Sequence, residues 1–151
     1  IMETYKITTH SEQETIELAQ NLESEKFPKM VICLNGDLGS GKTVFAKGFA
    51  QAMGITDVTS PTFNIIKEYV GELPLYHMDM YRVEGNVENL GLNEYYERNG
   101  VTIIEWAELI EDYLPEERLE IKFKIIDEET RVLVINAYGD KYIAICEAAL
   151  W

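Results

Sequence analysis

Positive charge is in short supply in this chain. Thirteen Lys and Arg stand against 27 Asp and Glu, a formal net charge of −14 over 151 residues. A surface of that sign repels phosphate backbones, so free nucleic acid is not expected as a direct ligand. No Lys/Arg cluster interrupts the acidic run of the sequence; the acidity serves either solubility or docking to a basic partner. Cysteine is nearly absent. Cys33 and Cys146 are far apart and lack metal-ligand spacing, and Cys33 lies in an apolar run, as a small core residue does. No apolar stretch reaches the ~18–20 residues of a membrane span. The start, Ile1-Met2-Glu3-Thr4, lacks the basic-then-apolar pattern of a signal peptide, and a cytoplasmic location is expected.

What is present is ordinary globular material: 46% apolar and 26% charged residues. The length suits one domain spanning 1–151. Tyr5 to Thr8 reads as a short strand. Ser11 and Glu14 have capping-box spacing before a helix from Glu12 to about Ser24, with Ile16, Leu18, Ala19 and Leu22 on its apolar face. Met30 to Leu34 is a continuous apolar run, as a buried central strand requires. A second helix is expected from Lys42 to Met53, stopped by Gly54. Phe63–Val70 and Pro74–Met80 read as strands around the turn Gly71-Glu72, an antiparallel hairpin. Acid-rich helical material follows from Val87 to Arg98, broken near Gly91, then a strand Val101–Glu105 and a short helix Ala107–Tyr113. Arg118–Ile126 and Arg131–Ala137 alternate around Asp127-Glu128-Glu129, a second antiparallel pair, and a helix from Asp140 to Leu150 closes the chain. The expected fold is α/β, a three-layer P-loop NTPase-like sandwich around a mixed, partly antiparallel sheet.

One motif carries chemistry on its own. Gly36-Asp37-Leu38-Gly39-Ser40-Gly41-Lys42-Thr43 matches G-x-x-x-x-G-K-[ST] in full. Glycines let successive amides turn inward around an anion. Lys42 has the reach for β- and γ-phosphates, the Thr43 hydroxyl is placed for magnesium, and the following helix, through Val44, offers its N-terminal dipole. An apolar strand before the loop and an amphipathic helix after it supply the context the mechanism demands. ATP or GTP with Mg2+ is the expected ligand. Hydrolysis further needs an acid near the metal and something to place water. Asp79 ends the apolar stretch from Leu75, and Glu105 ends the run Val101-Thr102-Ile103-Ile104, where a carboxylate is costly to bury unless paired or metal-bound. Thr62 lies in the loop between the P-loop helix and the next strand, where NTPases contact the γ-phosphate region.

These residues together resemble the TsaE family, small bacterial ATPases of tRNA threonylcarbamoyladenosine biosynthesis. The resemblance rests on Gly36 to Thr43, on Ser60-Pro61-Thr62-Phe63, on His77-Met78-Asp79-Met80-Tyr81-Arg82 and on Glu105-Trp106, in the family's order and covering nearly the whole chain. Ala107 stands where a proline is common. The resemblance implies ATP and Mg2+ as cofactors, slow hydrolysis unless partnered, and association with TsaB and TsaD, the pair that modifies adenosine 37 of tRNA. tRNA would then be met only through that complex. It further implies Thr43 and Glu105 as magnesium contacts with Asp79 beside them, Lys42, Asp79 and Glu105 as the catalytic set, Thr62 in a switch-like loop, and Trp106 near the nucleotide. The turn from Thr9 to Glu12, and Arg131, would touch base or ribose. His77 alternates with Asp79 along a strand, so both are expected on one face; a lone strand histidine is otherwise a structural residue.

Two other readings remain open at this level. A small-metabolite P-loop kinase closes an arginine-bearing lid over the phosphoryl group, and the four arginines here, 82, 98, 118 and 131, are scattered. A non-catalytic, nucleotide-dependent regulatory module would share the same loop. A small GTPase is disfavoured because no Asn-Lys-x-Asp guanine-reading motif occurs.

Overall fold

The computed structural model describes residues 1–59, 61, 65–85 and 87–150. In chain order these form β1 (Met2–Thr9), α1 (Glu12–Glu23), β2 (Met30–Gly36), α2 (Lys42–Ala52), β3 (Ile66–Tyr69), β4 (Leu75–Asp79), α3 (Leu92–Glu97), β5 (Val101–Glu105), β6 (Arg118–Ile125), β7 (Arg131–Tyr138) and α4 (Asp140–Ala149). The strands make one seven-stranded sheet in the order β1-β7-β6-β2-β5-β4-β3. Its centre, β6-β2-β5-β4, is parallel, and both edges are antiparallel. This is the mixed α/β architecture that the alternation of apolar runs and turns anticipates.

Burial explains the layers. β2 is apolar from Met30 to Leu34 because both of its faces are covered. On one face Ile32, Leu34, Val101, Ile103, Ile121 and Phe123 pack beneath α1, α2 and α4. On the other, Val31, Cys33, Met78 and Ile104 pack beneath α3 and the 3-10 segments Val87–Leu90 and Ala107–Tyr113. That second layer stops at β2. Beyond it, β6, β7 and β1 keep their buried residues for the first face, and Lys6, Lys122 and Lys124 stand exposed on the second.

Several expected boundaries shift for tertiary reasons. β1 begins at Met2 rather than Tyr5, because its whole length pairs with β7, from Met2 opposite Tyr138 to Thr9 opposite Arg131. β3 runs only from Ile66, and residues 62–64 lie outside the described part. The short helix expected over 107–113 is present and takes the 3-10 form, with a kink at Ile110, where φ is −129°. The break near Gly91 is found: its φ of 69° separates the Val87–Leu90 turn from α3. The capping box at α1 also forms. Glu14 donates its amide to the Ser11 hydroxyl at 3.1 Å, and its carboxylate accepts the His10 amide at 2.7 Å, one residue before the expected position.

Candidate functional site

The site sits where the four parallel strands end, since loops leaving their C-terminal edge converge there. β2 runs into the Gly36–Thr43 loop, and α2 begins at Lys42 with Gly41 before it and no side chain capping its first amides. Those amides are left for an anion. Gly36 holds φ at 146° and Gly41 at 116°, angles that other residues resist. A Cβ on Gly36 would lie 2.7 Å from the Ser40 hydroxyl and 2.8 Å from the Phe123 carbonyl. Ser40 is fully buried, and among the described residues its hydroxyl has no hydrogen-bond partner. A tight cradle with uncapped amides fits a chain of phosphates.

Lys42 is folded back onto its own loop. Its ammonium donates to the Gly36 carbonyl and, at 2.9 Å, to the Asp37 carbonyl, and it lies 4.2 Å over the Trp106 ring. Burial pushes its pKa below that of an ordinary lysine, against the opposing pull of Glu105, Glu108, Asp79 and Asp37. The carboxylates gathered there therefore help keep a desolvated ammonium charged.

β4 and β5 supply the acids. Their parallel register sets Asp79 opposite Glu105 at the strand ends. Alternation sends Tyr76, Met78 and Met80 into the second apolar layer, which leaves Leu75, His77 and Asp79 on the α2 side. Glu105 is 2% exposed and committed at both oxygens. Oε1 accepts the Thr43 hydroxyl at 2.9 Å, and Oε2 pairs with His77 Nε2 at 2.6 Å. Asp79 Oδ1 accepts the Tyr81 amide at 2.9 Å. Burial raises the Asp79 pKa above the usual carboxylate value. The Tyr81 amide bond opposes the rise, Glu105 adds to it, and His77 and Lys42 also oppose it. Two acids in one low-dielectric corner resist carrying two negative charges unless a cation joins them.

Trp106 follows Glu105 in a left-handed conformation, φ 58°, which costs about 1–2 kcal/mol in a non-glycine residue. The turn is tied by the Trp106 amide donating to the Leu34 carbonyl at 2.9 Å. It sets the indole against both Lys42 and Tyr81, whose ring centroid lies 4.8 Å from that of Trp106.

In front of the loop opens a cleft of about 1270 Å³, lined by the loop from Leu38 to Val44 and by Asp79, Tyr81, Glu105, Trp106 and Arg131. Its size admits a nucleotide. Gly36 and Asp37 lie on the far side, lining a smaller hollow of about 480 Å³. Arg131 is spent on backbone: its guanidinium donates to the Ser40 and Gly39 carbonyls at 3.0 and 3.2 Å and to Asp127, Glu128 and Thr130 carbonyls. Thr9 is buried beneath the rim, its hydroxyl 2.9 Å from that of Thr15, while Ser11, Glu12 and Thr15 reach the cleft. Thr62 falls outside the described residues. Tyr81, Glu128 and Glu129 also line the cleft, although the sequence places the two acids only in a turn. For Glu128 and Glu129 it is the β6–β7 pairing that sets this turn beside the loop.

Among the described residues no group of three or more His, Cys, Asp or Glu gathers to hold a metal unaided. Thr43, Glu105 and Asp79 offer oxygen alone beside a phosphate cradle. That donor set suits magnesium, which keeps waters and takes a carboxylate or two together with substrate phosphates.

The family model described as threonylcarbamoyl adenosine biosynthesis protein TsaE matches residues 9–133. The chain is 49% identical over 148 residues to the tRNA threonylcarbamoyladenosine biosynthesis protein TsaE of Bacillus subtilis (strain 168), covering 97% of this chain and 94% of that protein. It is 36% identical over 135 residues to the protein of the same name from Rickettsia bellii (strain RML369-C), covering 85% and 93%. A solved structure described as the crystal structure of Bacillus subtilus YdiB superposes with a TM-score of 0.85 at 43% identity, over 97% of this chain and 94% of that one.

Proposed function

The chain belongs to the TsaE family of threonylcarbamoyl adenosine biosynthesis proteins, and we propose that it serves tRNA modification as a magnesium-dependent ATPase, slow alone and accelerated by TsaB and TsaD. The observation that carries this reading is the Thr43–Glu105 hydrogen bond at the mouth of the Gly36–Thr43 loop. A metal-binding hydroxyl and a buried carboxylate already face each other beside a lysine and uncapped amides.

The steps follow from the chain's own groups. The amides at the start of α2 receive the phosphates, and Lys42 exchanges the Gly36 and Asp37 carbonyls for phosphate oxygens. Thr43 and Glu105, with Asp79 beside them, would hold the cation directly or through water. Bound there, magnesium would supply positive charge against the negative charge of the phosphates. Asp79, with its raised pKa, stands at the edge of that corner to orient water. Catalysis is then positioning plus electrostatic stabilisation.

Slow basal turnover follows from the arginines. Arg131 is tied to five carbonyls, and Arg82 is exposed at the cleft wall. Neither is preset as a charge on the leaving phosphate, so a partner that closes the open cleft would supply what the isolated chain lacks. tRNA would meet the protein only within the complex, since a net charge of −14 repels it elsewhere. Within the described residues no helix is long and apolar enough to cross a membrane.

The test is ATP hydrolysis by the purified protein, alone and then with TsaB, TsaD and tRNA, with Lys42→Ala as control. Slow hydrolysis that rises with the complex and vanishes in the control is expected. Fast hydrolysis alone, or indifference to the complex, would favour the kinase or the regulatory module instead.

A further inference from the structure

His77 is a histidine where a core residue would be simpler. It is 1% exposed, on the α2 face of β4 between Leu75 and Asp79, and its neighbour across the β4–β5 register is Ile103. Burying an imidazole in such surroundings costs free energy that a leucine would not. One ring nitrogen is compensated. Nε2 lies 2.6 Å from Glu105 Oε2, and because an ionised carboxylate only accepts, the proton of that bond sits on Nε2. The other is not: among the described residues the buried Nδ1 has no partner. The fold thus tolerates one orphaned nitrogen to keep the other aimed at Glu105.

What that aim achieves follows from the rest of Glu105. Its Oε1 accepts the Thr43 hydroxyl at 2.9 Å, so the carboxylate is gripped from both sides. Without His77, Oε2 would be a buried anionic oxygen with nothing to satisfy it, and the carboxylate would be free to rotate. That movement would spoil the Thr43–Glu105 pair that faces the phosphates. Asp79 cannot take over the grip, because an ionised carboxylate has no proton to offer Oε2 and its Oδ1 is engaged by the Tyr81 amide. Nor does the 3-10 segment beyond Trp106, whose Glu108 amide is bound to Asn35 instead.

We infer that His77 is a positioning residue for the divalent cation: its Nε2–H fixes the rotamer of Glu105 and thereby presents Thr43 and Glu105 as one preformed oxygen pair. The inference rests on the reading that this pair serves magnesium. It adds a residue that touches neither nucleotide nor ion and acts through the Thr43–Glu105–His77 chain of contacts. Outer partners of this kind contribute ~10–100-fold to metal affinity in other sites.

Two substitutions separate positioning from simple filling. His77→Gln places an amide N–H where Nε2–H was, whereas His77→Asn has the same polarity but is too short to reach Oε2. Mn2+ is titrated into each protein with ADP present, and free Mn2+ is read by electron paramagnetic resonance, with thermal unfolding as a check on folding. His77→Asn is expected to weaken Mn2+ binding by ~10–100-fold while ADP binding in EDTA stays at the wild-type level, and His77→Gln is expected to restore Mn2+ binding. Wild-type Mn2+ affinity in His77→Asn, or a loss in His77→Gln equal to that in His77→Asn, overturns the inference. A wild-type protein that binds ADP but no Mn2+ overturns the magnesium reading itself and the inference with it. The unmodified protein gives a reading that needs no His77 variant. Nitrogen-15 histidine NMR should show a downfield, exchange-protected Nε2–H that moves when Mg2+ joins bound ADP and disappears in Glu105→Gln; its absence likewise overturns the proposal.

Discussion

Thr43 and Glu105, 62 residues apart in the chain, share a hydrogen bond of 2.9 Å at the point where α2 begins and β5 ends. The parallel pairing of β2 with β5 brings Leu34 beside Glu105, and the loop leaving β2 returns Thr43 above it. Everything else at the site is arranged around that contact: Lys42 and Trp106 in front, Asp79 beside, His77 behind.

Asp79 carries the first prediction. Its folded pKa is raised above 3.8, so between that value and the folded one the native state binds more protons than the unfolded state. Stability contributed by this group therefore falls as pH rises through that window and stays lowered at neutral pH. Asp79→Asn should raise the melting temperature at pH 7, keep the Tyr81 amide bond, and cut ATP turnover at least tenfold. The thermal gain should fade as the pH is taken below about 4, where the wild-type carboxyl is itself protonated. Melting curves across pH check the sign; a destabilised Asn variant would mean that ionised Asp79 is held by more than the structure shows.

Gly36 and Gly39 make a controlled pair. Both have positive φ, but a Cβ on Gly36 strikes Ser40 and Phe123 whereas one on Gly39 meets nothing within 4 Å. Gly39→Ala should cost about 1–2 kcal/mol of strain and leave nucleotide binding measurable. Gly36→Ala should cost more and abolish it, since the loop must open to admit the methyl group. Denaturant melts with calorimetric ATP titration distinguish the two.

Trp106 should report occupancy. Lys42 stacks on it at 4.2 Å, and phosphate binding would pull the ammonium toward the cleft. Addition of ATP is expected to change tryptophan fluorescence. Trp106→Phe should lose the response, although Trp151 remains. A response that survives the substitution would place the motion elsewhere.

Arg131 decides between two roles by its ligand profile. Its guanidinium grips the Gly39 and Ser40 carbonyls, a hold that orients the loop. Arg131→Ala should weaken ATP and ADP strongly and adenosine little. An equal loss for adenosine would show that the side chain reads base or ribose after all.

Much of the fold was legible because its signals are local. The run Met30–Leu34, the glycines of the loop and the Ser11–Glu14 box each require a particular backbone, and each formed. The 3-10 form of 107–113 was not legible, since its apolar spacing suits an α-helix and the kink at Ile110 arises where that residue packs into the second layer. The part of β1 before Tyr5 carries few apolar residues and is a strand because β7 offers it a ladder.

The sequence by itself determined the Gly36–Thr43 loop, its lysine and threonine, and the two strand-end acids, because spacing along the backbone dictates which amides turn inward and which side chains alternate. Only the tertiary structure decided that His77 grips Glu105, that Arg131 is consumed by the loop it borders, and that Lys6, Lys122 and Lys124 share one uncovered sheet face. Those relations join residues tens of positions apart, and they depend on strand order and register, which no local pattern in the chain specifies.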